Sequence, residues 1–330
     1  MVGVLAMAVL MNESVVVEVE RPTKRIVSDA GAGGYQAFPD VCRLKNGDLY
    51  CVFYAGYGHI SLPNAKHPKG GRICAVRSSD EGHTWSRPET VIDTPLDDRD
   101  PSIACLPDGT LLLNFFVYRK ENSCDTMLAR STDGGKTWSE PEIVLPSFAT
   151  SSPVRRLRNG NLLMPVYTVD GANRKYAGVC LSKDKGKTWS APRPIGLEAG
   201  LTIDETDLYE RKDGTILAVC RQEMVASESR DGGWSWSEPV KLPFQGHCPY
   251  LLMTRQGVLL MAHRLPQTSL HYSLDEGRTW SESVLIDDFI GAYPSMVQMK
   301  DGRVLCLYYE EGEGSAIRAA ILKINKAPSK

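Results

Sequence analysis

The sequence predicts an all-β chain folded as a six-bladed β-propeller of four-stranded blades, on three observations. A nine-residue frame recurs five times, a strand-turn-strand unit recurs six times, and the two alternate along the chain. The frame reads "SSDEGHTWS" at 78–86, "STDGGKTWS" at 131–139, "SKDKGKTWS" at 182–190, "SRDGGWSWS" at 229–237 and "SLDEGRTWS" at 273–281. Its aspartates, Asp80, Asp133, Asp184, Asp231 and Asp275, are 53, 51, 47 and 44 residues apart, a period of propeller or solenoid repeats. Five copies of one motif are architecture, not five active sites. The Asp can accept the turn's own N–H groups, the Gly supplies a backbone conformation closed to other residues, and the Trp packs beside the turn.

Each strand-turn-strand unit pairs apolar runs around Asn-Gly, Asp-Gly or a similar turn: "RLKNGDLYCVFY", "CLPDGTLLLNFF", "RLRNGNLLMPVY", "ERKDGTILAVCR", "LMTRQGVLLMAHR" and "QMKDGRVLCLYYE". Such turns need positive φ, which Gly and Asn adopt most readily. Five units are followed by a third strand and a box. The sixth runs instead into "SAIRAAILKI", and "SVVVEVE" near the start is the strand left to complete it, so the last blade is closed by the N- and C-terminal strands and no sheet edge is left open. Residues 1–330 therefore read as a single propeller domain, with 1–13 as an extra N-terminal segment.

Composition bounds the function. The 330 residues are 42% hydrophobic and 24% charged, with a formal net charge of -2. That balance lacks the basic excess of a nucleic-acid binder. The apolar "MVGVLAMAVLM" is too short to span a bilayer, and it has neither a basic n-region nor a clear cleavage site, so it reads as a segment packing on the body and no membrane partner is expected. Nine scattered cysteines in apolar runs, with no CxxC pair, read as free buried thiols in a reducing, cytoplasmic setting, with a secreted or periplasmic one as the alternative. No phosphate-binding loop or dinucleotide fingerprint is present, and the histidines show no HxH or HxxxH spacing. Neither a cofactor nor a metal is expected.

Ser-x-Asp-x-Gly-x-x-Trp is the Asp-box, or bacterial neuraminidase repeat, and over essentially its whole length the chain resembles the sialidase superfamily of six-bladed propellers. The resemblance implies a glycan or oligosaccharide substrate and an exo-acting glycosidase with a tyrosine nucleophile. Asp-box propellers also serve other chemistries. A polysaccharide lyase acting on uronate-containing glycans and a non-catalytic glycan-binding propeller therefore stand as alternatives.

The turn glycines Gly47, Gly109, Gly160, Gly214, Gly257 and Gly302 act as a ruler. Nine residues before them stand Phe38, Asp100, Ser151, Glu205, Cys248 and Tyr293; seven after them stand Tyr54, Phe116, Tyr167, Arg221, Arg264 and Tyr309. A hairpin returns on itself, so both sets belong to one face. Charged residues ending apolar strands, as Arg221 and Arg264 do, are costly to bury unless paired or open to a cleft. Two arginines in register can grip a carboxylate bidentately.

By resemblance, "DETDLYERKDGTILAVCR" carries the catalytic Glu205 and Arg221, "LLMAHR" carries Arg264, "GAYPSMVQMKDGRVLCLYYE" carries the nucleophile Tyr293, and "RDPS" lines the pocket with Asp100. Glu205 withdraws the phenolic proton, and the arginines are expected to lower the phenol's pKa. Two positions depart from the family. Its Arg-Ile-Pro motif is here "AFP", with Ala37 in place of the arginine, and the stretch 57–77, where the family has its acid/base Asp, holds no Asp or Glu. That loop offers His59, His67 and Arg72 instead: a histidine to move the proton, and Arg72 to replace the missing arginine. Asp100 and Asp40 are the carboxylate candidates for the same role, while His247 and Tyr54 complete the expected substrate contacts.

Overall fold

The computed structural model describes residues 15–326 apart from 121–122, 170–174, 197–199, 223, 290 and 313; the N-terminal segment 1–13 lies outside the described residues. Six antiparallel sheets of four strands form, five in sequential order and the sixth with the first strand of the chain paired to the last. Blade one holds Tyr35–Arg43, Leu49–Gly56, Arg72–Ser78 and Glu89–Ile92. Blade two holds Asp97–Cys105, Leu111–Lys120, Ser123–Ser131 and Glu142–Pro146. Arg155–Arg156, Leu162–Val169, Lys175–Ser182 and Arg193–Ile195 make blade three. Blade four is Ile203–Glu210, Ile216–Gln222, Val225–Ser229 and Val240–Lys241, and blade five is His247–Met253, Leu259–Arg264, Thr268–Ser273 and Val284–Asp287. Blade six combines Gly291–Gln298, Val304–Glu310 and Ala316–Lys326 with the N-terminal strand Val15–Val27. The expected closure by both ends of the chain is what forms.

Alternation along the strands sends successive side chains to opposite faces, so every sheet is apolar on both sides. Six buried clusters result, one in each seam between neighbouring blades: Leu259 and Met261 face blade four, for example, while Leu260 and Ala262 face blade six. All six inner turns are alike. The turn glycines sit at φ between 81° and 97°, and Gly47 donates to the Leu44 carbonyl at 2.9 Å while Leu44 donates to the Asp48 carbonyl at 2.8 Å.

The five boxes also share one geometry. In the first, Asp80 Oδ1 accepts from the Ser78 hydroxyl at 2.8 Å and the Thr84 N–H at 2.9 Å, Oδ2 accepts from the Thr84 hydroxyl at 2.6 Å, and Gly82 N–H donates to Ser78 Oγ at 2.8 Å. The box is a seam as well as a turn. Its glycine rests on the second strand of the preceding blade: Gly82 on Leu305, Gly135 on Tyr50, Gly186 on Leu112, Gly233 on Leu163 and Gly277 on Leu217. Blade six has no box, and its seam with blade five is tied by Tyr272 donating to the Val15 carbonyl at 2.8 Å and by Asp287, which accepts from Thr23 at 2.7 Å and Arg318 Nε at 3.1 Å.

A Cβ at Gly277 would stand 2.6 Å from Leu217 Cδ2, at φ +84. Gly277→Ala is therefore expected to destabilise the fold by about 2 kcal/mol, strain and overpacking combined. Gly232→Ala, at φ +78 with nothing within 4 Å, isolates the backbone strain at about 1 kcal/mol. Urea unfolding of both variants checks this, and equal losses would show that the contact with the neighbouring blade contributes nothing.

Candidate active site

The inner strands do not run straight to the axis. In blades one, two, five and six the ladder is interrupted by one extra inner-strand residue, between Ala37 and Asp40, Arg99 and Ser102, His247 and Tyr250, and Ala292 and Ser295. Within these bulges Phe38, Asp100, Cys248 and Tyr293 adopt φ of 53°, 47°, 54° and 49°. Each precedes a proline, which has no N–H to lose from the broken ladder. Bulky residues in this left-handed region are strained, and such strain collects at functional sites. The bulge re-aims one side chain per blade. Together with Ser151 and Glu205 the four line a single axial cavity, floored by prolines.

At the mouth of that cavity the Tyr293 hydroxyl donates to Glu205 Oε1 at 2.5 Å. The same oxygen accepts from Arg221 at 2.6 Å, and that guanidinium nitrogen lies 3.4 Å from the Tyr293 oxygen and 3.8 Å from Cys248 Sγ. Blades four and six thus meet on one carboxylate, with Cys248 of blade five against the guanidinium. Glu205 Oε2 is buried and accepts no geometrically formed hydrogen bond among the described residues. Burial, then the charge of Glu205, push the Tyr293 phenol well above its ordinary pKa, and Arg221 opposes them only weakly. The expected net lowering does not occur: the pull of Arg221 is outweighed, and the phenol holds its proton more tightly than a free one.

Asp204, one residue before Glu205, is nearly fully buried. It accepts from Lys175 at 3.0 Å, Gln222 at 3.0 Å and the Glu205 N–H at 2.9 Å, anchoring the strand that carries Glu205. Asp100 accepts from the Ser151 hydroxyl at 3.0 Å, and its other oxygen has only the Arg99 guanidinium at 3.6 Å. Burial raises its pKa to about 7 against the pull of Arg99. Across the mouth, Arg264 has Glu311 at 3.9 Å, and Glu311 accepts from Tyr35 at 3.2 Å and from Tyr309. Tyr35 also meets His59 Nδ1 at 3.0 Å. His247, paired with Arg264 in the ladder, is half-buried at the same rim, and desolvation followed by Arg221 lowers its pKa.

The fold thus brings together the ruler residues Tyr293, Glu205, Arg221, Asp100 and, at the rim, Arg264, with His247 and His59 beside it. Four other expectations are corrected. His67 lies on the outer part of its loop, stacked on Tyr57 with centroids 4.4 Å apart, because the loop folds back on Asn64. Arg72 donates to the Ala30 carbonyl at 2.7 Å and does not take the place of the missing arginine. Asp40 is buried with its oxygens held by Val41 N–H, Ser295 and the Ile103 N–H of the next blade, a tie between blades. Tyr54 is fully buried and donates to Asp97 at 2.8 Å, so it presents nothing to a ligand. Glu311, Asp204, Tyr35 and Arg99 were not among the expected site residues. Glu311 lies two positions past Tyr309 and Asp204 one before Glu205, both just off the ruler.

Fold and mouth together define an Asp-box propeller whose axial cavity ends in a tyrosine, a glutamate and arginines. The chain belongs to the family described as BNR repeat-like domain, whose profile matches residues 74–306. A sialidase of Micromonospora viridifaciens is 28% identical over 347 aligned residues, covering 87% of this chain and 52% of that protein, so this chain spans about half that relative's length. Among solved structures, a Dyadobacter fermentans protein of unknown function matches with a TM-score of 0.81 at 23% identity, over 94% of this chain and 99% of its own. A Hadza microbial sialidase matches with a TM-score of 0.74 at 20% identity, over 93% of this chain and 69% of its own. This is a sialidase-like propeller.

Proposed function

We propose that the protein is a retaining, exo-acting glycoside hydrolase of the sialidase type that removes a terminal acidic sugar from a glycan. The observation that carries this reading is the contact of Tyr293 with Glu205 at 2.5 Å under Arg221. A phenol with a carboxylate base in hydrogen-bond reach is an activated nucleophile. As the anomeric carbon gains positive charge, Tyr293 attacks it and Glu205 takes the phenolic proton. Arg221 balances Glu205 and the oxygen of Tyr293 in turn.

Arg264 supports an acidic substrate. Its ion-pair partner Glu311 is at 3.9 Å, and no hydrogen bond of its guanidinium is formed among the described residues. It is the cation at this mouth most open to a carboxylate. Asp100, holding its proton to about pH 7, is suited to donate to a sugar hydroxyl in the cavity. The cysteines, all unpaired and six of the nine buried, support a reducing, cytoplasmic location.

The test is release of aglycone from aryl glycosides of sialic acid, uronic acids and neutral sugars. Turnover of an acidic glycoside is expected, and Arg264→Ala should raise its KM about 10- to 100-fold with a smaller change in kcat, as loss of uniform binding does. Preference for neutral glycosides, with KM unmoved by the substitution, would overturn the carboxylate clamp. A product with new near-ultraviolet absorbance and no hydrolysis would mean elimination instead.

A further inference from the structure

A retaining glycosidase needs one more group, to protonate the departing oxygen and then to take a proton from water. The loop between the second and third strands of blade one carries no carboxylate from 57 to 71, yet its neck is built with care. Asp97, fully buried, accepts from the Ser61 N–H at 2.9 Å and the Gly71 N–H at 3.1 Å, and Gly71 N–H also bonds the Ser61 carbonyl at 2.9 Å. Arg99, buried beneath Phe38, Tyr54, Phe116 and Tyr118, donates to the backbone carbonyl of His59. These contacts fix one residue of the loop at the rim. That residue is His59.

Resting on the glycosidase reading above, we propose that His59 is the acid/base of this site, held and charge-balanced by Tyr35 and Glu311. The geometry is a three-member chain: Glu311 Oε1 accepts from the Tyr35 hydroxyl at 3.2 Å, and the Tyr35 oxygen lies 3.0 Å from His59 Nδ1. Tyr35 has one proton. When the imidazole is doubly protonated, Nδ1–H must donate to the Tyr35 oxygen, and the Tyr35 proton must go to Glu311. The chain therefore favours the imidazolium and sets its orientation, as a carboxylate behind a catalytic histidine does. His59 Nε2 has no hydrogen-bond partner among the described residues, the residue is exposed, and its ring lies 5.5 Å from that of Phe38 in the cavity wall.

In the first half-reaction the bond from Tyr293 Oη to the anomeric carbon forms and the glycosidic C–O bond breaks. Glu205 receives the phenolic proton, and the leaving oxygen receives a proton from His59. In the second half a water oxygen bonds to the anomeric carbon, its proton returns to His59, and the tyrosyl C–O bond breaks with the proton passing back from Glu205 to Tyr293. One glycoside and one water become sugar and alcohol.

The charges around His59 set the pH dependence. Desolvation at the rim, Arg99 of blade two and Arg264 of blade five lower its pKa, while Glu311 of blade six and Glu205 of blade four raise it, the net being below the ordinary 6.5. Because the donor must be protonated, kcat/KM on substrates with poor leaving groups is expected to rise as pH falls through that lowered value and to decline above it. Aryl glycosides with very acidic phenols need no proton and should lack this limb.

The experiment compares His59→Ala, Tyr35→Phe and Glu311→Gln on a series of glycosides of increasing leaving-group pKa, with NMR titration of the imidazole as an activity-independent readout. His59→Ala is expected to lose about 10²- to 10⁴-fold on poor leaving groups, little on the best one, and to recover with azide. Tyr35→Phe and Glu311→Gln should each move the His59 titration, and the pH limb with it, to lower pH. Losses independent of the leaving group, or a His59 titration unmoved by both positioning variants, would overturn the proposal. If instead wild type turns over and Tyr293→Phe does so equally well, it is the nucleophile reading that fails, and the titration still decides whether the chain acts on His59.

Discussion

Tyr293→Phe should all but abolish turnover, by about 10³-fold or more in kcat, with the fold and the affinity for the sugar nearly unchanged. The ring stays: it packs edge-on against Phe38 at 4.8 Å and belongs to the inner wall of the cavity. Only the hydroxyl is removed, and with it the atom that bonds to carbon. Loss of a nucleophile typically costs more than loss of any group that merely assists it. Glu205 cannot stand in, because its near oxygen is tied to Arg221 at 2.6 Å and the residue is buried behind the phenol. A phenol also suits an acidic sugar better than a second carboxylate would. Being uncharged until the moment of attack, it does not repel the substrate's own carboxylate. The check is kcat on the best aryl glycoside, beside calorimetric binding of the free sugar. Retention of more than about a tenth of the wild-type rate would exclude covalent catalysis by Tyr293.

The fold was legible because its determinants are local and repeated. Asp80 and its four counterparts specify the same turn five times, and each turn glycine specifies an inner hairpin. The ruler from those glycines found Glu205, Arg221, Asp100 and Tyr293 because the inner strands of five blades, blade four between Ile203 and Thr206 among them, carry a bulge at the same register. A further signal of that bulge stands in the sequence: a proline directly after Phe38, Asp100, Cys248 and Tyr293. What was not legible is where side chains point once off the ruler. Tyr54 and Arg264 occupy equivalent positions, but Asp97 of blade two captures the Tyr54 hydroxyl in the seam between the blades, and nothing comparable captures Arg264 among the described residues. His59 and His67 share a loop, and only tertiary contacts from Arg99 and Tyr57 separate the one at the rim from the one outside. Glu311 became visible only when blade six closed against blade one.

Arg155→Met is expected to destabilise the propeller by about 3 kcal/mol without touching the Tyr293–Glu205–Arg221 cluster. Blade three has the shortest inner strand of the ring. Its innermost strand is only Arg155–Arg156, so little of the ladder joins it to its neighbour. Arg155 compensates by reaching across two seams: Nε and one terminal nitrogen grip Asp207 of blade four at 2.8 and 2.5 Å, the latter nitrogen also bonds the Leu251 carbonyl of blade five at 3.1 Å, and the guanidinium lies over the Tyr250 ring at 4.8 Å. Asp207 is fully buried. Removing one partner of a buried pair leaves the other charged and unsolvated, at roughly 3–5 kcal/mol; about a quarter of the Arg155 side chain reaches solvent, which places the loss at the low end. The carboxylate would keep the Leu208 and Leu251 N–H groups, both at 2.7 Å, and those bonds stop the blade from coming apart outright. A second change, Asp207→Asn added to Arg155→Met, removes the stranded charge while an amide oxygen can still accept from one N–H, so part of the loss should return. Urea unfolding of the single and double variants decides it: a double variant less stable than the single one would mean that Asp207 holds the seam through its own backbone bonds and that Arg155 adds little.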